Sequence, residues 1–293
     1  MLTYKISGSG AGQYITVTGR DSGGPELRIP ETTEGLPVLE IASHAFENDA
    51  TLESVHLPPT LEMVGSFAFY NCPSLKELRF SDSIGSFGLG AIRSSEKLTD
   101  LYFRAARGRY SVLIGLLEDV EIALTVHVTM AEGEACFHFP AYVRGFREDT
   151  RARAFHSFIE GQGVAYREAV TRKGVDIRSY DRLFPRAAGD SWQVAAPIAL
   201  ARLRYPWQLT AQAEDQYRKY LLEMSPEILP GLIAQGRRED VLFMAEKALF
   251  TPEAASLSLE EATRRRDSEV VGLLMDTKKD QPPKAEVFSL DDW

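Results

Sequence analysis

Cysteine is scarce in this chain: Cys72 and Cys136 are the only two in 293 residues. One bridge between them could not be the main staple of so long a chain, and the count suits a reducing compartment. Long hydrophobic runs are missing too. No stretch approaches the roughly 18–20 uninterrupted apolar residues of a membrane span. Met1-Leu2-Thr3-Tyr4-Lys5-Ile6-Ser7-Gly8 has no basic segment leading into an apolar one, as a secretory signal would. The expectation is a cytoplasmic protein. Positive charge is in deficit, with a net charge of −9. That disfavours nucleic acid and anionic lipid as partners, since either needs a basic face. The local run Arg264-Arg265-Arg266 reads as a solvated helix face.

Catalytic signatures are also lacking. No G-x-S-x-G, H-E-x-x-H, G-x-x-x-x-G-K-[ST] or dinucleotide-binding glycine motif occurs in a fitting context. The glycines of Ile159-Glu-Gly-Gln-Gly163 lack the Gly-Lys-Ser/Thr ending and the preceding apolar strand of a phosphate loop. The paired carboxylates Glu214-Asp215 and Glu260-Glu261 lie on helix faces expected to be exposed, with no apolar pocket to raise a pKa. The chain therefore reads as non-enzymatic, with no cofactor.

What the sequence does have is a repeat. Ile41, Val64 and Phe87 are 23 residues apart, as are Ala45, Ala68 and Ala91; Phe46, Phe69 and Ile92; Leu52, Leu75 and Leu98; Val55, Leu78 and Leu101; and Leu57, Phe80 and Phe103. Such columns, without an insertion, describe a coil that climbs one rung per repeat and buries its apolar face only by stacking neighbours. Each rung has one short strand: Val55-His56-Leu57, Leu78-Arg79-Phe80 and Leu101-Tyr102-Phe103. Alternation turns the outer two side chains inward and the middle one out. The Ala-Phe pair forms the opposite wall, Asn48 and Asn71 are expected to bond loop backbone, and Cys72 reads as a buried packing residue. A degenerate rung, Leu27-Arg28-Ile29-Pro30, precedes these at an offset of 28, its extra residues falling in Glu34-Gly35-Leu36-Pro37. Tyr14-Ile15-Thr16-Val17-Thr18 alternates like a strand and would cap the open end.

The segments Leu52-Glu-Ser-Val-His-Leu-Pro58 and Leu61-Glu-Met-Val-Gly65-Ser-Phe-Ala-Phe69-Tyr-Asn-Cys72-Pro-Ser-Leu75 resemble the BspA-type leucine-rich-repeat family, over residues 14 to 103. The third copy departs from the pattern: Ser94-Ser95 replace Asn-Cys and no proline follows Phe103, so the solenoid is expected to end there. The resemblance implies a binding role, since members of that family are often bacterial surface proteins that bind host proteins.

Beyond the repeat, Ile122–Thr129 and Ala135–Phe139 alternate around Ala131-Glu132-Gly133 and read as a hairpin. A register pairing Val126 with Phe139 would put His127 beside His138, with Cys136 on the same face. Those three are weak metal candidates; the alternative is a polar face that simply carries two histidines. Residues 151 to 186 read as helical with breaks at glycines, and Asp176 as an N-cap before a buried face of Tyr180, Leu183 and Phe184. From 191 to 278 apolar residues recur at helical spacing, punctuated by Pro206, Pro226, Gly236 and Pro252. Val241-Leu242 and Val270-Val271 lie 29 apart, and Thr251-Pro252-Glu-Ala followed by Asp267-Ser-Glu-Val-Val-Gly-Leu-Leu274 resembles an ankyrin unit over residues 225 to 278, without an intact Thr-Pro-Leu-His element. The tail is polar and Pro-bearing and reads as disordered. Its ending, Val287-Phe-Ser-Leu-Asp-Asp-Trp293, is either inert or a docking peptide.

The expected fold is mixed α/β of the α+β kind. Its parts are a solenoid with an N-terminal cap (1–104), a connector with a β-hairpin and short helices (105–190), an ankyrin-like array of helical hairpins (191–278) and a tail (279–293). The expected function is protein or peptide binding. The outward strand positions form a ladder of Arg28, His56, Arg79 and Tyr102, beside an acidic-leaning column of Glu26, Ser54, Glu77 and Asp100. A mixed charged face with one aromatic suits a polar protein partner. The other readings are a structural part of a larger assembly, or a cryptic enzyme or metal protein centred on the middle segment.

Overall fold

The computed structural model describes residues 1–149 and 154–279. The expected tail, after its first residue, lies outside the described residues. The chain forms two compact units, Met1–Gly189 with Tyr205–Leu209, and Asp190–Arg204 with the chain from Thr210 onward.

In the first unit the coil carries two sheets. The front sheet stacks β3 (Glu26–Arg28), β6 (Ser54–His56), β8 (Glu77–Ser81), β10 (Asp100–Arg104) and β11 (Leu124–Met130) in parallel, and β12 (Gly133–Phe139) closes it antiparallel. The back sheet stacks β2 (Tyr14–Arg20), β5 (Leu36–Ile41), β7 (Met63–Val64) and β9 (Ser86–Phe87) in parallel, with β1 (Leu2–Ser7) antiparallel to β2 at its end. Each regular rung thus has two strands, where the sequence pattern shows one. Ile41, Val64 and Phe87 are register partners in the back sheet. The expected cap strand is β2, continued outward by β1. The extra residues of the first rung make a tight hairpin between β4 (Thr32–Thr33) and β5, with Glu34 and Gly35 both at positive φ.

The period is strict for a backbone reason. At the turn beyond the back sheet, Gly65 N–H bonds Ile41 C=O, and Gly88 N–H bonds Val64 C=O. A Cβ on either glycine would fall 2.3 Å from the backbone nitrogen of the rung before, Ser43 or Ser66. Three rungs then place His44, Phe67 and Gly90, and next Asn48, Asn71 and Ser94, in the left-handed region. Asn71 donates to the Asn48 side chain at 2.5 Å, so these two bond each other rather than loop backbone. Phe46 stacks on Phe69 with ring centroids 5.2 Å apart. Cys72 is buried and unpaired, and its Sγ–H reaches the Phe46 carbonyl at 3.2 Å. Burial pushes its pKa up to about 11.

The solenoid does not end at Phe103. β11 extends the front sheet in register, Leu101 beside Val126 and Phe103 beside Val128. This strand, readable as half of a hairpin, was hidden as a fifth rung because α1 (Ser111–Asp119) intervenes, packing against β9 and burying Val112, Leu113, Leu116 and Leu117. The β11–β12 hairpin also has a different register from the one expected: Val126 faces Phe137, and Leu124 faces Phe139. The shift of two preserves the buried face, since alternation determines parity but not pairing.

The helical reading of 151–186 is corrected at its start. β13 (Val143–Asp149) and β14 (Ala154–Glu160) form an antiparallel ribbon, a pairing that no local pattern announces. Helix begins at α2 (Gly163–Glu168). The small hairpin β15 (Val170–Thr171) and β16 (Gly174–Val175) follows, then α3 (Ile177–Arg182) and α4 (Phe184–Ala188). Asp176 caps α3 by accepting from Ser179 N–H at 3.1 Å. Tyr180 and Phe184 are buried, while Leu183 is half-buried. Arg167 on α2 ties the closing elements together. Its guanidinium donates to the carbonyls of Leu117, Pro140, Gly163 and Ile122 at 2.6–3.1 Å, and burial lowers its pKa to about 10.

The second unit comprises α5 (Trp192–Arg204), α6 (Ala211–Glu223), α7 (Ser225–Ala234), α8 (Arg238–Glu246), α9 (Pro252–Arg264) and α10 (Ser268–Lys279). Thr210 and Thr251 cap α6 and α9 by accepting from Ala213 and Ala254 N–H; a threonine cap is worth about 1 kcal/mol. The pair α7–α8 stacks on α9–α10. The same closing turn ends α7 and α9, with Gly236 and Arg266 at positive φ and Arg237 N–H to Leu232 C=O matched by Asp267 N–H to Ala262 C=O. These equivalences lie 30 residues apart, not 29, and align buried Met244 with buried Leu274. Leu257, one of the apolar residues of α9, is 57% exposed.

Candidate interaction surface

Parallel pairing without slippage turns the outward strand positions into continuous columns. Arg28 lies beside His56, His56 beside Arg79, and Arg79 beside Tyr102. The column then runs on to His127 and Cys136. The acidic-leaning column is Glu26, Ser54, Glu77 and Asp100, continued by Thr125 and His138. All eight residues of the two columns named from the sequence therefore share one face.

The two ends of the ladder differ in chemistry. At the first rungs, Arg28 pairs with Glu26 at 2.5 Å and His56 lies 3.4 Å from the same carboxylate. Burial, then the charges of Arg28 and Arg79, lower the His56 pKa. Further on, the contacts are between flat groups. The Arg79 guanidinium lies 3.6 Å from the Tyr102 ring centroid, while one of its nitrogens pairs with Glu77 at 3.1 Å. The Tyr102 ring stacks on His127 at 4.5 Å and 9°. Tyr205, in the segment that belongs to this unit, meets His127 edge-on at 6.3 Å. His127 Nε2 bonds Asp100 at 3.0 Å. Burial alone would raise the Asp100 pKa, but the hydrogen bonds from His127 and Thr99 outweigh it and hold it low. The Tyr102 phenol is pushed up by burial, then by the Asp100 and Glu77 carboxylates.

His127 is the ladder residue that the sequence did not reveal as one. Its offset from Tyr102 is 25 rather than 23, although the alternation of its strand was visible. Tyr205 left no signal at all. As for metal, the register sets His127 opposite Cys136 and moves His138 opposite Thr125, where its Nδ1 lies 3.1 Å from the threonine hydroxyl. Among the described residues, no group of three His, Cys, Asp or Glu is placed to hold a metal ion.

A cleft of about 470 Å³ lies away from the ladder, where α1 ends. Its lining includes Arg93, Glu96, Glu118, Asp119, Glu121 and Arg144, and Arg93 pairs with Asp119 at 2.8 Å. No helix is long and apolar enough to cross a membrane among the described residues.

Residues 26–108 match the family model for the BspA type leucine rich repeat region, with six copies. Solved structures similar to the chain include a leucine-rich repeat protein from Bacteroides ovatus (21% identity, 34% of this chain, 30% of that one, TM-score 0.30). A leucine rich cell surface protein from Faecalibacterium prausnitzii is also similar (24% identity, 45% and 43% covered, TM-score 0.30), as is the T. pallidum leucine rich repeat protein (18% identity, 34% and 68% covered, TM-score 0.22). The chain spans less than half the length of the first two. No curated protein is similar enough to count as a match.

Proposed function

We propose that this chain is a non-enzymatic scaffold that binds a protein or peptide through the front face of its solenoid. The observation that carries this reading is the stack Arg79–Tyr102–His127, with ring contacts of 3.6 and 4.5 Å on a half-exposed face. Arginine and tyrosine dominate binding hot spots because they combine flat apolar area with polar edges and lose little entropy when already held. Repeat solenoids present such faces as extended surfaces. The exposed pairs of the first rungs, such as Arg28–Glu26, would form a rim of small energetic weight.

On this reading the stacked pairs α7–α8 and α9–α10 are an ankyrin-like array that holds the binding unit in a larger arrangement, and the protein works in the cytoplasm. The test is affinity purification from the source organism with mass spectrometry, comparing wild type with the R79A/Y102A double variant. Partners retained by the wild type should be lost with the variant, while its melting temperature stays close to that of the wild type. A partner set unchanged by the double substitution would refute the strand-face reading.

A further inference from the structure

Many surface cations of this acidic protein are paired. Arg28 meets Glu26, Lys76 meets Glu53, Arg93 meets Asp119, Arg204 and Arg237 share Asp240, and Arg264 and Arg265 share Glu261. Among those left without an ion pair, the fold gathers one group. Arg104 ends β10, and Arg107 and Arg109 follow in the loop before α1. Arg172 and Lys173 form the turn between β15 and β16. Tyr110 N–H donates to Arg172 C=O at 3.2 Å, which brings that turn against the loop although the two are more than sixty residues apart in the chain. All five cations are exposed, and among the described residues none forms an ion pair.

The carboxylates nearby do not neutralise them. Asp82 is only 2% exposed, and its Oδ2 accepts the backbone N–H groups of Arg107 at 2.6 Å and Arg109 at 3.1 Å. Arg109 also donates to the Asp82 carbonyl at 3.0 Å. Asp82 thus fixes the shape of the loop through its backbone and leaves the Arg107 guanidinium unpaired. Glu132 also lies close enough to raise the Tyr110 phenol, after burial and Asp82, yet it forms no ion pair with the five cations among the described residues.

We propose that this patch docks a short acidic segment of a partner protein. Four of the five cations are arginines, whose forked donors match carboxylates two bonds at a time. The loop is held by Asp82 before binding, so little ordering cost is added. The net charge of −9 selects for short ligands. A nucleic acid or an anionic bilayer extends far beyond the screening length of about 8 Å and meets the negative remainder of the surface, whereas a few consecutive carboxylates meet only the patch. Arg104 lies two positions beyond Tyr102 on the same strand face, so the patch adjoins the ladder. It rests on other residues, however, and the two readings fail separately.

The test is fluorescence anisotropy of a labelled peptide of consecutive glutamates, titrated with the full chain at low and high salt. Binding should weaken with salt, fall by about tenfold or more in R107E/R172E, and stay unchanged in K219E, which removes an exposed cation on α6 outside the patch and outside the ladder. The milder pair R107Q/R172Q, checked for an unchanged melting curve, replaces the charge reversal if that variant unfolds. Absence of peptide binding, or equal binding by the patch variants, would overturn the proposal. So would tighter, patch-dependent binding of a single-stranded oligonucleotide or of phosphatidylserine vesicles.

Discussion

Both units of this protein stack repeated elements, but they repeat with different strictness. In the solenoid, backbone groups of one rung bond those of the next along both sheets and the turn, from Leu57 N–H to Arg79 C=O on the front to Gly65 N–H to Ile41 C=O behind. An inserted residue must either shift the later bonds or be looped out, as in the first rung, so 23 holds without exception across the regular rungs. In the helical unit each helix satisfies its own backbone, and only side chains and end turns join neighbours. A packing contact tolerates drift, so the sequence shows 29 where the structure counts 30. Backbone-coupled repeats are therefore readable in sequence, and side-chain-coupled repeats are blurred.

Glycine substitution should break this contrast most sharply. Gly65→Ala forces a Cβ to 2.3 Å from Ser43 N, and the main chain of two rungs must move. A loss on the order of 3 kcal/mol is expected in urea unfolding. Gly272→Ala, on α10 with nothing within 4 Å of the new carbon, should instead stabilise by roughly 0.5–1 kcal/mol. Equal effects at the two positions would show that backbone coupling is not what distinguishes the units.

A pair of arginines gives the next largest effect. Arg167→Met removes the donor shared by four carbonyls, three of these bonds buried, and about 3 kcal/mol should be lost, because buried oxygens lose a charged donor. Arg204→Ala leaves Asp240 still paired with Arg237, so less than about 1 kcal/mol is expected. Thermal melts of the two variants, side by side, decide the matter.

The smallest effect is a pH dependence confined to the solenoid. The folded pKa of His56 lies below its ordinary 6.5, so the unfolded chain takes up the proton first. Its contribution is therefore complete above pH 6.5 and is lost as pH falls towards the folded value. Hydrogen exchange around β6 should quicken on mild acidification, and His56→Gln should flatten that response. The helical unit has no histidine and should not respond in this window.

Legibility followed the same physical divide. The regular front strands, the degenerate first rung, the cap and the two outward columns could be read because each occupies a fixed place in a backbone-bonded coil. The two-residue strands β7 and β9 carry too little pattern to announce themselves. The place of β11 in the front sheet, though not its strand character, was hidden by the insertion of α1, and with it the ladder role of His127. The β13–β14 ribbon depends on a pairing across positions with no local signature.

By itself, the sequence determined the coil, since a rung's height is set by local spacing and its neighbours follow from hydrogen-bond register. Which charges remain available was decided only by the tertiary structure. Arg264-Arg265-Arg266 is the most basic run in the chain, yet Glu261 pairs with two of its members and Arg265 also bonds the Ala234 carbonyl. Arg107 and Arg172 look unrelated in the sequence, but Tyr110 joins their loops into one cationic surface. Electrostatics depends on distance in space, and only the folded chain sets that distance.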